Sequence, residues 1–141
     1  RIITLKEPAS VGHIVELAKA HLNLKHVRVA LAEGISAGAG SFEAGLKVVR
    51  KVTKVGVQAG SGGSVLKGCG AEVWVTGEMG HHDVLAAAAE GVSVILTEHT
   101  NTERGFLPRM AQVLGKKLGE AGHGDIEVKV SQVDADPLNT V

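Results

Sequence analysis

The sequence predicts an α/β protein with helices on both sides of a substantially parallel sheet, a three-layer α/β/α arrangement. Three observations point there. Short β-branched runs recur, among them Val55–Ala59, Glu72–Thr76 (EVWVT) and Val92–Thr97 (VSVILT). Stretches with helical spacing of apolar residues lie between them. Glycines sit at the junctions, and their number, 19 in 141 residues, is well above the ordinary share of about 7%. Alternation of strand and helix is the signature of a parallel sheet covered by crossover helices.

The elements follow in order. Pro8 to His21 reads as a helix with Ser10 as N-cap, because Val11, Ile14, Val15, Ala18 and Leu22 fall near helical spacing. His26–Ala32 alternates and reads as a strand. Glu33–Ser41 (EGISAGAGS) reads as a flexible loop or insertion. Lys47–Lys54 is basic and Val-rich. Val55–Ala59 is a strand, Gly60–Ser64 a glycine loop, and Ser64–Lys67 the start of a short helix. After the strand Glu72–Thr76, an Ala-rich helix spans His82–Glu90, with Gly91 just past its end as a C-terminal stop. After the strand Val92–Thr97, a helix lies between Glu103 and Glu120 and ends at Gly122–Gly124. Ile126–Val130 (IEVKV) reads as a last strand and Asp134–Val141 as a polar tail.

Composition excludes several functions. Lys+Arg and Asp+Glu are 15 each, so no basic excess marks a nucleic-acid backbone partner. The only aromatics are Phe42, Trp74 and Phe106, too few for a base-stacking platform. The longest apolar run, Val84–Ala89, is far short of a bilayer span. The lone Cys69 cannot form an internal disulfide, which fits a reducing compartment such as the cytoplasm. The chain opens on Arg1, which reads as a processed or truncated piece of something longer.

Three segments could carry chemistry. Gly60–Ser64 could offer backbone N–H groups to an anion. It lacks the third glycine of the dinucleotide motif, where Val65 stands, and the Gly-Lys-Ser/Thr of a phosphate loop. A tight turn that brings helix close to sheet is the competing reading. The second segment, Thr76–Asp83 (TGEMGHHD), follows a strand and would place Glu78, His81, His82 and Asp83 in the crevice beyond the sheet. Its competing reading is a helix start with solvated side chains. The third, Glu98–Gly105 (EHTNTERG), carries His99 and Glu103 four residues apart. On one helical turn that spacing puts imidazole and carboxylate on the same face, as a metal ion requires. A capping box, with Thr100 as N-cap and Glu103 at the third position, competes with it. It would make Pro108 the eighth residue of a helix, a cost of about 3 kcal/mol. Both readings of Glu103 stand at this point.

Ala59-Gly-Ser-Gly-Gly-Ser-Val-Leu66, Thr76-Gly-Glu-Met-Gly-His-His-Asp83, Glu98-His-Thr-Asn-Thr-Glu-Arg-Gly-Phe-Leu107 and Asp134-Ala-Asp-Pro-Leu138 stand in that order. Together they resemble the C-terminal half of the NIF-three-like family (Ngg-one interacting factor three), in its eukaryotic wording. Members are often labelled GTP cyclohydrolase type-2-like or dinuclear metal-binding proteins. The resemblance covers nearly the whole chain, taken as one domain, and is weakest over 33–53, read as an insertion or flexible loop. It implies one half of a duplicated, intertwined α/β/α fold in a ring-shaped homo-oligomer. It also implies a site for divalent ions, zinc, iron or similar, to which His99 and Glu103 contribute; the other ligands lie in a half this chain lacks. Glu78 is the candidate catalytic or supporting carboxylate, and His81, His82 and Arg104 are expected to line the site. His99 and Glu103 are expected to face one cavity at the C-terminal edge of the sheet. The family name further implies a transcriptional co-regulator as protein partner, hence a nuclear as well as a cytoplasmic location, with no direct contact to nucleic acid or membrane.

Overall fold

The structure, a computed structural model, describes residues 1–47 and 52–138. It divides into two compact units, Arg1–Thr102 and Glu103–Val141.

The first unit is built on a five-stranded sheet. Its elements run β1 (Ile2–Ala9), α1 (Val11–Leu22), β2 (Arg28–Ala30), α2 (Glu33–Ala39), α3 (Phe42–Lys47), β3 (Val52–Ser61), α4 (Gly63–Leu66), β4 (Val73–Glu78), α5 (His81–Ala89) and β5 (Ser93–Leu96). The spatial order is β1-β3-β4-β5-β2. The three central strands are parallel, and an antiparallel strand closes each edge.

Period-2 alternation sorts the central side chains between two cores. Val73, Val75 and Ile95 face α1 and α2, where Val11, Ile14, Val15 and Ile35 close over them. Trp74, Val94 and Leu96 face the other way, against Leu66 of α4 and Ala87 of α5. Val73, Val94 and Ile95 are fully buried, each contributing about 1.5–3 kcal/mol relative to exposure. Burial on both faces explains why β4 and β5 read as continuous apolar runs. In the second core, Gly56 leaves the space that Leu66, Cys69 and Trp74 share; a Cβ there would lie 3.3 Å from Cys69 Sγ and 3.3 Å from Trp74 Cδ1.

The helix signals behave as their chemistry requires. Ser10 caps α1 by accepting the His13 N–H at 3.2 Å. Gly91 ends α5 in the left-handed conformation (φ 84°), and the following Val92 N–H reaches back to the Ala87 carbonyl at 2.9 Å.

One expectation for this unit needs correction. Residues 33–41 are not a loop: they hold α2 and, after a left-handed Gly40, lead into α3. The Gly/Ala run folds because Ile35 is buried in the first core and small residues let the helices close in. A Cβ on Gly12 would lie 2.7 Å from the Leu46 carbonyl oxygen, and one on Gly45 2.6 Å from Leu31 Cδ1. Packing here outweighs propensity. The basic, Val-rich stretch Lys47–Lys54 falls partly on residues 48–51, outside those described. The strand β1 is absent from the sequence reading altogether. It is an edge strand, and Lys6, Glu7 and Pro8 interrupt its alternation, as edge strands tolerate.

The second unit begins with a 3-10 turn, Arg104–Phe106, that runs into α6 (Leu107–Glu120). Pro108 sits in the first turn of α6, where its missing N–H costs nothing. No residue of α6 is buried, and Met110, Val113 and Leu114 stand exposed on it, with Phe106 just before it. The expected strand at Ile126–Val130 is irregular chain: the pattern alternates, but no strand among the described residues pairs with it. The polar tail returns through an Asp134–Arg104 ion pair at 3.2 Å, and its last residues, 139–141, lie outside those described. Among the described residues no helix is long and apolar enough to cross a membrane.

Candidate functional site

The parallel strands β3, β4 and β5 deliver their C-terminal ends to one edge of the first unit. Glu78 is the last residue of β4, and His99 follows β5 after Thr97 and Glu98. His99 Nδ1 lies 2.9 Å from Glu78 Oε1, with both side chains half-exposed. A histidine whose Nδ1 is engaged by a carboxylate is held in one ring orientation and one tautomer, with Nε2 as its lone-pair nitrogen.

The backbone around this pair is unusually constrained. Glu98 has φ 66°, left-handed and costly for a residue with a Cβ. Its side chain is gripped by Arg28, whose Nε and Nη2 both stand 3.0 Å from Glu98 Oε1. Gly77 lies under the turn: a Cβ there would come 2.8 Å from the Gly60 carbonyl oxygen and 2.9 Å from His99 Cα. Only glycine permits that approach. Asn101 Nδ2 donates to the Thr97 carbonyl at 2.8 Å, and Thr97 Oγ1 donates to the Thr76 carbonyl at 3.2 Å.

The glycine loop takes the architectural reading. Gly60 is left-handed (φ 68°), its N–H goes to Thr102 Oγ1 at 2.7 Å, and its carbonyl accepts from Thr76 Oγ1 at 3.0 Å. The Gly62 N–H goes to the Glu78 carbonyl at 3.3 Å, and a Cβ on Gly62 would collide with Thr76 Oγ1. Both amides already have protein partners.

The capping box does not form. Thr100 opens a 3-10 turn (Thr100–Thr102), its buried hydroxyl has no hydrogen-bond partner, and the α-helix starts only at Leu107. Glu103 is the first residue of the second unit and precedes the Arg104–Phe106 turn without a side-chain cap bond. Arg104 is paired with Asp134 in that unit.

The other expected residues distribute differently. His81 and His82 open α5, exposed, with their rings edge-on and 6.0 Å apart. His81 lines a cleft of about 250 Å³ together with Arg28, Met79, Val84 and Leu96. Asp83 is in the first helical turn, as the helix-start reading of this segment expects. Among the described residues no group of three or more His, Cys, Asp or Glu side chains is arranged to hold a metal ion. Arg28, Gly77 and Thr102 were not singled out by sequence reasoning. Arg28 meets Glu98 only because β2 pairs antiparallel with β5, Arg28 opposite Leu96, a long-range register no local pattern announces.

Residues 1–137 match the family model for Duf34/NIF3 (NGG1p interacting factor 3). Rat NIF3-like protein 1 is 45% identical over 141 residues, all of this chain but 34% of the relative. The NIF3 homolog of Schizosaccharomyces pombe is 40% identical over 144 residues, 46% of its length. NGG1-interacting factor 3 of Saccharomyces cerevisiae is 39% identical, with 43% of it covered. The chain therefore spans about a third to a half of these relatives. Among solved structures, a Bacillus cereus protein related to NIF3 matches 99% of the chain and 35% of its own, with a TM-score of 0.74 and 26% identity. Staphylococcus aureus protein SA1388 matches 99% of the chain and 36% of its own at a TM-score of 0.72 and 22% identity, a likeness of fold.

Proposed function

Because this chain belongs to the Duf34/NIF3 family, we propose that it forms the C-terminal half of a dinuclear metal-binding, hydrolase-like protein. In this reading His99 and Glu103 are its metal ligands. The observation that carries the reading is the His99 Nδ1–Glu78 Oε1 contact of 2.9 Å at the C-terminal ends of parallel strands. Imidazole and carboxylate donors suit divalent zinc, iron or similar ions. The fit is that of a partial donor set: a catalytic zinc takes about three protein ligands, and two metals need more. The remaining ligands come from outside this chain.

When bound, such ions supply a water acidified toward neutral pH and positive charge against a developing oxyanion. This chain's residues do the rest. Glu78 holds the Nδ1 proton of His99 and aims the ring. As a half-exposed carboxylate it is also the group able to accept or return a proton. Glu98 and Arg28 hold the backbone from which His99 projects. The outer side of β1, which pairs with no strand among the described residues, exposed Ile2 and Ile3, and zero formal net charge favour assembly as a homo-oligomer.

The second reading is a non-catalytic protein-interaction module in transcription. The printed name of the yeast relative and the exposed apolar residues Phe106, Met110 and Leu114 favour it. Elemental analysis and metal-dependent turnover of a full-length parent, beside the 141-residue chain, test the two. The first reading expects about two metals per full-length protomer and fewer in the chain. A parent without metal that still binds its partner would leave the second.

A further inference from the structure

We infer that Thr102 is a positioning residue for His99, and that the bulge at the end of β3 exists to give it a partner. The pairing of β3 with β4 advances from Gln58 opposite Thr76 to Ser61 opposite Glu78, three steps on β3 against two on β4. The additional residue makes a bulge in a parallel pair, with Gly60 left-handed within it. A bulge turns a backbone N–H away from the ladder, and a part-buried N–H needs another acceptor. That acceptor is Thr102 Oγ1, 42 positions away in sequence, at 2.7 Å. The same hydroxyl donates its proton to the His99 carbonyl at 2.7 Å, which also accepts the Thr102 N–H at 3.2 Å.

A hydroxyl that accepts from one strand and donates to another connection has its orientation set from both sides, and the two bonds strengthen each other. Gly60 N–H, Thr102 hydroxyl and His99 carbonyl thus form one relay from β3 to the backbone of the histidine. Gly77 keeps the space beneath clear, since any Cβ there would meet both the Gly60 carbonyl and His99 Cα. Glu78 acts on the ring of His99 and Thr102 on its carbonyl. Removing the Thr102 hydroxyl leaves the ring on Glu78 but takes away the side-chain bond that fixes the His99 carbonyl, so the backbone that carries the ring is held less closely.

The relay is a statement about this chain alone; its consequence for metal rests on the proposed reading of His99. The test compares Thr102→Val, which keeps the shape without the hydroxyl, with Thr102→Ser, which keeps the hydroxyl. In the metal-free chain, nitrogen-15 NMR should show the His99 Nδ1 proton and a slowly exchanging Gly60 amide in the wild type and in Thr102→Ser. Both should be lost to exchange in Thr102→Val. In the metal-bearing protein, Thr102→Val should weaken metal affinity by about 10–100-fold, the loss typical of a partner that orients a ligand, and Thr102→Ser should restore it. If Thr102→Val folds poorly, Thr102→Ala makes the same comparison. Unchanged His99 and Gly60 signals in the variant without the hydroxyl, or valine and serine variants that behave alike, overturn the inference. A wild type that binds no metal overturns the reading of His99 as a ligand, while the NMR arm still decides the role of Thr102.

Discussion

Two connections leave the same edge of the sheet and are built in opposite ways. Between β4 and α5 only Met79 and Gly80 intervene, and the helix begins at once with His81. Its polar side chains, His81, His82 and Asp83, stand in solvent. After β5 the chain takes Thr97 to Thr102 to turn, and nearly every residue is tied: Glu98 to Arg28, His99 to Glu78, Asn101 to Thr97, Thr102 to Gly60. A short turn needs no ties because the helix supplies its own hydrogen bonds. A long one must recruit them, and those same ties orient a side chain. Two histidines side by side in the first connection look more like a metal site than the single one in the second, yet the single one is held.

The largest effect belongs to the held histidine. On the proposed metal-binding reading, His99→Ala and Glu103→Ala in the full-length protein should each bring metal content from stoichiometric to background by elemental analysis, with the melting temperature of the metal-free protein within about 4 °C of wild type, the shift expected of about 1 kcal/mol. Retention of metal by either variant breaks the comparison at its root. Next is Gly77→Ala. Its Cβ would meet backbone on both sides, so nothing can rotate away, and the loss should be about 3 kcal/mol by urea unfolding. A loss under 1 kcal/mol would show that the second connection is looser than its bonds suggest.

How much of this was open to sequence reading depends on the range of each interaction. The central strands, the Ser10 cap and the Gly91 stop are local signals and were legible. So was Pro108, which moved the helix start past Thr100 to Leu107. The short helices α2 and α3 were hidden because Gly and Ala carry weak signals until Leu31 and Leu46 pack against them. At the site, His99 and Glu78 could be named from their position after strands. Their ties could not, because Arg28 and Thr102 reach across 70 and 42 positions.

Smaller effects sharpen the contrast. Glu78→Gln keeps the volume of the side chain but weakens its hold on the Nδ1 proton. On the proposed metal-binding reading, metal affinity should fall about 10–100-fold with stability nearly unchanged, by competition with a chelator. Equal affinity for wild type and variant would reduce Glu78 to a bystander. Smallest of all, His81→Ala and His82→Ala should each change stability by no more than about 0.5 kcal/mol and leave metal stoichiometry alone, since both are exposed at a helix start. A lost metal in either would transfer the role to the first connection.

The small shared space at Gly56 has an optical consequence. Trp74 is the only tryptophan, there is no tyrosine, and the one cysteine thiol reaches the same pocket. Excited at the red edge of indole absorption, the chain reports from one buried site through one fluorophore beside a sulfur quencher. Opening of the second core should therefore shift the emission to the red and brighten it together as indole and thiol separate.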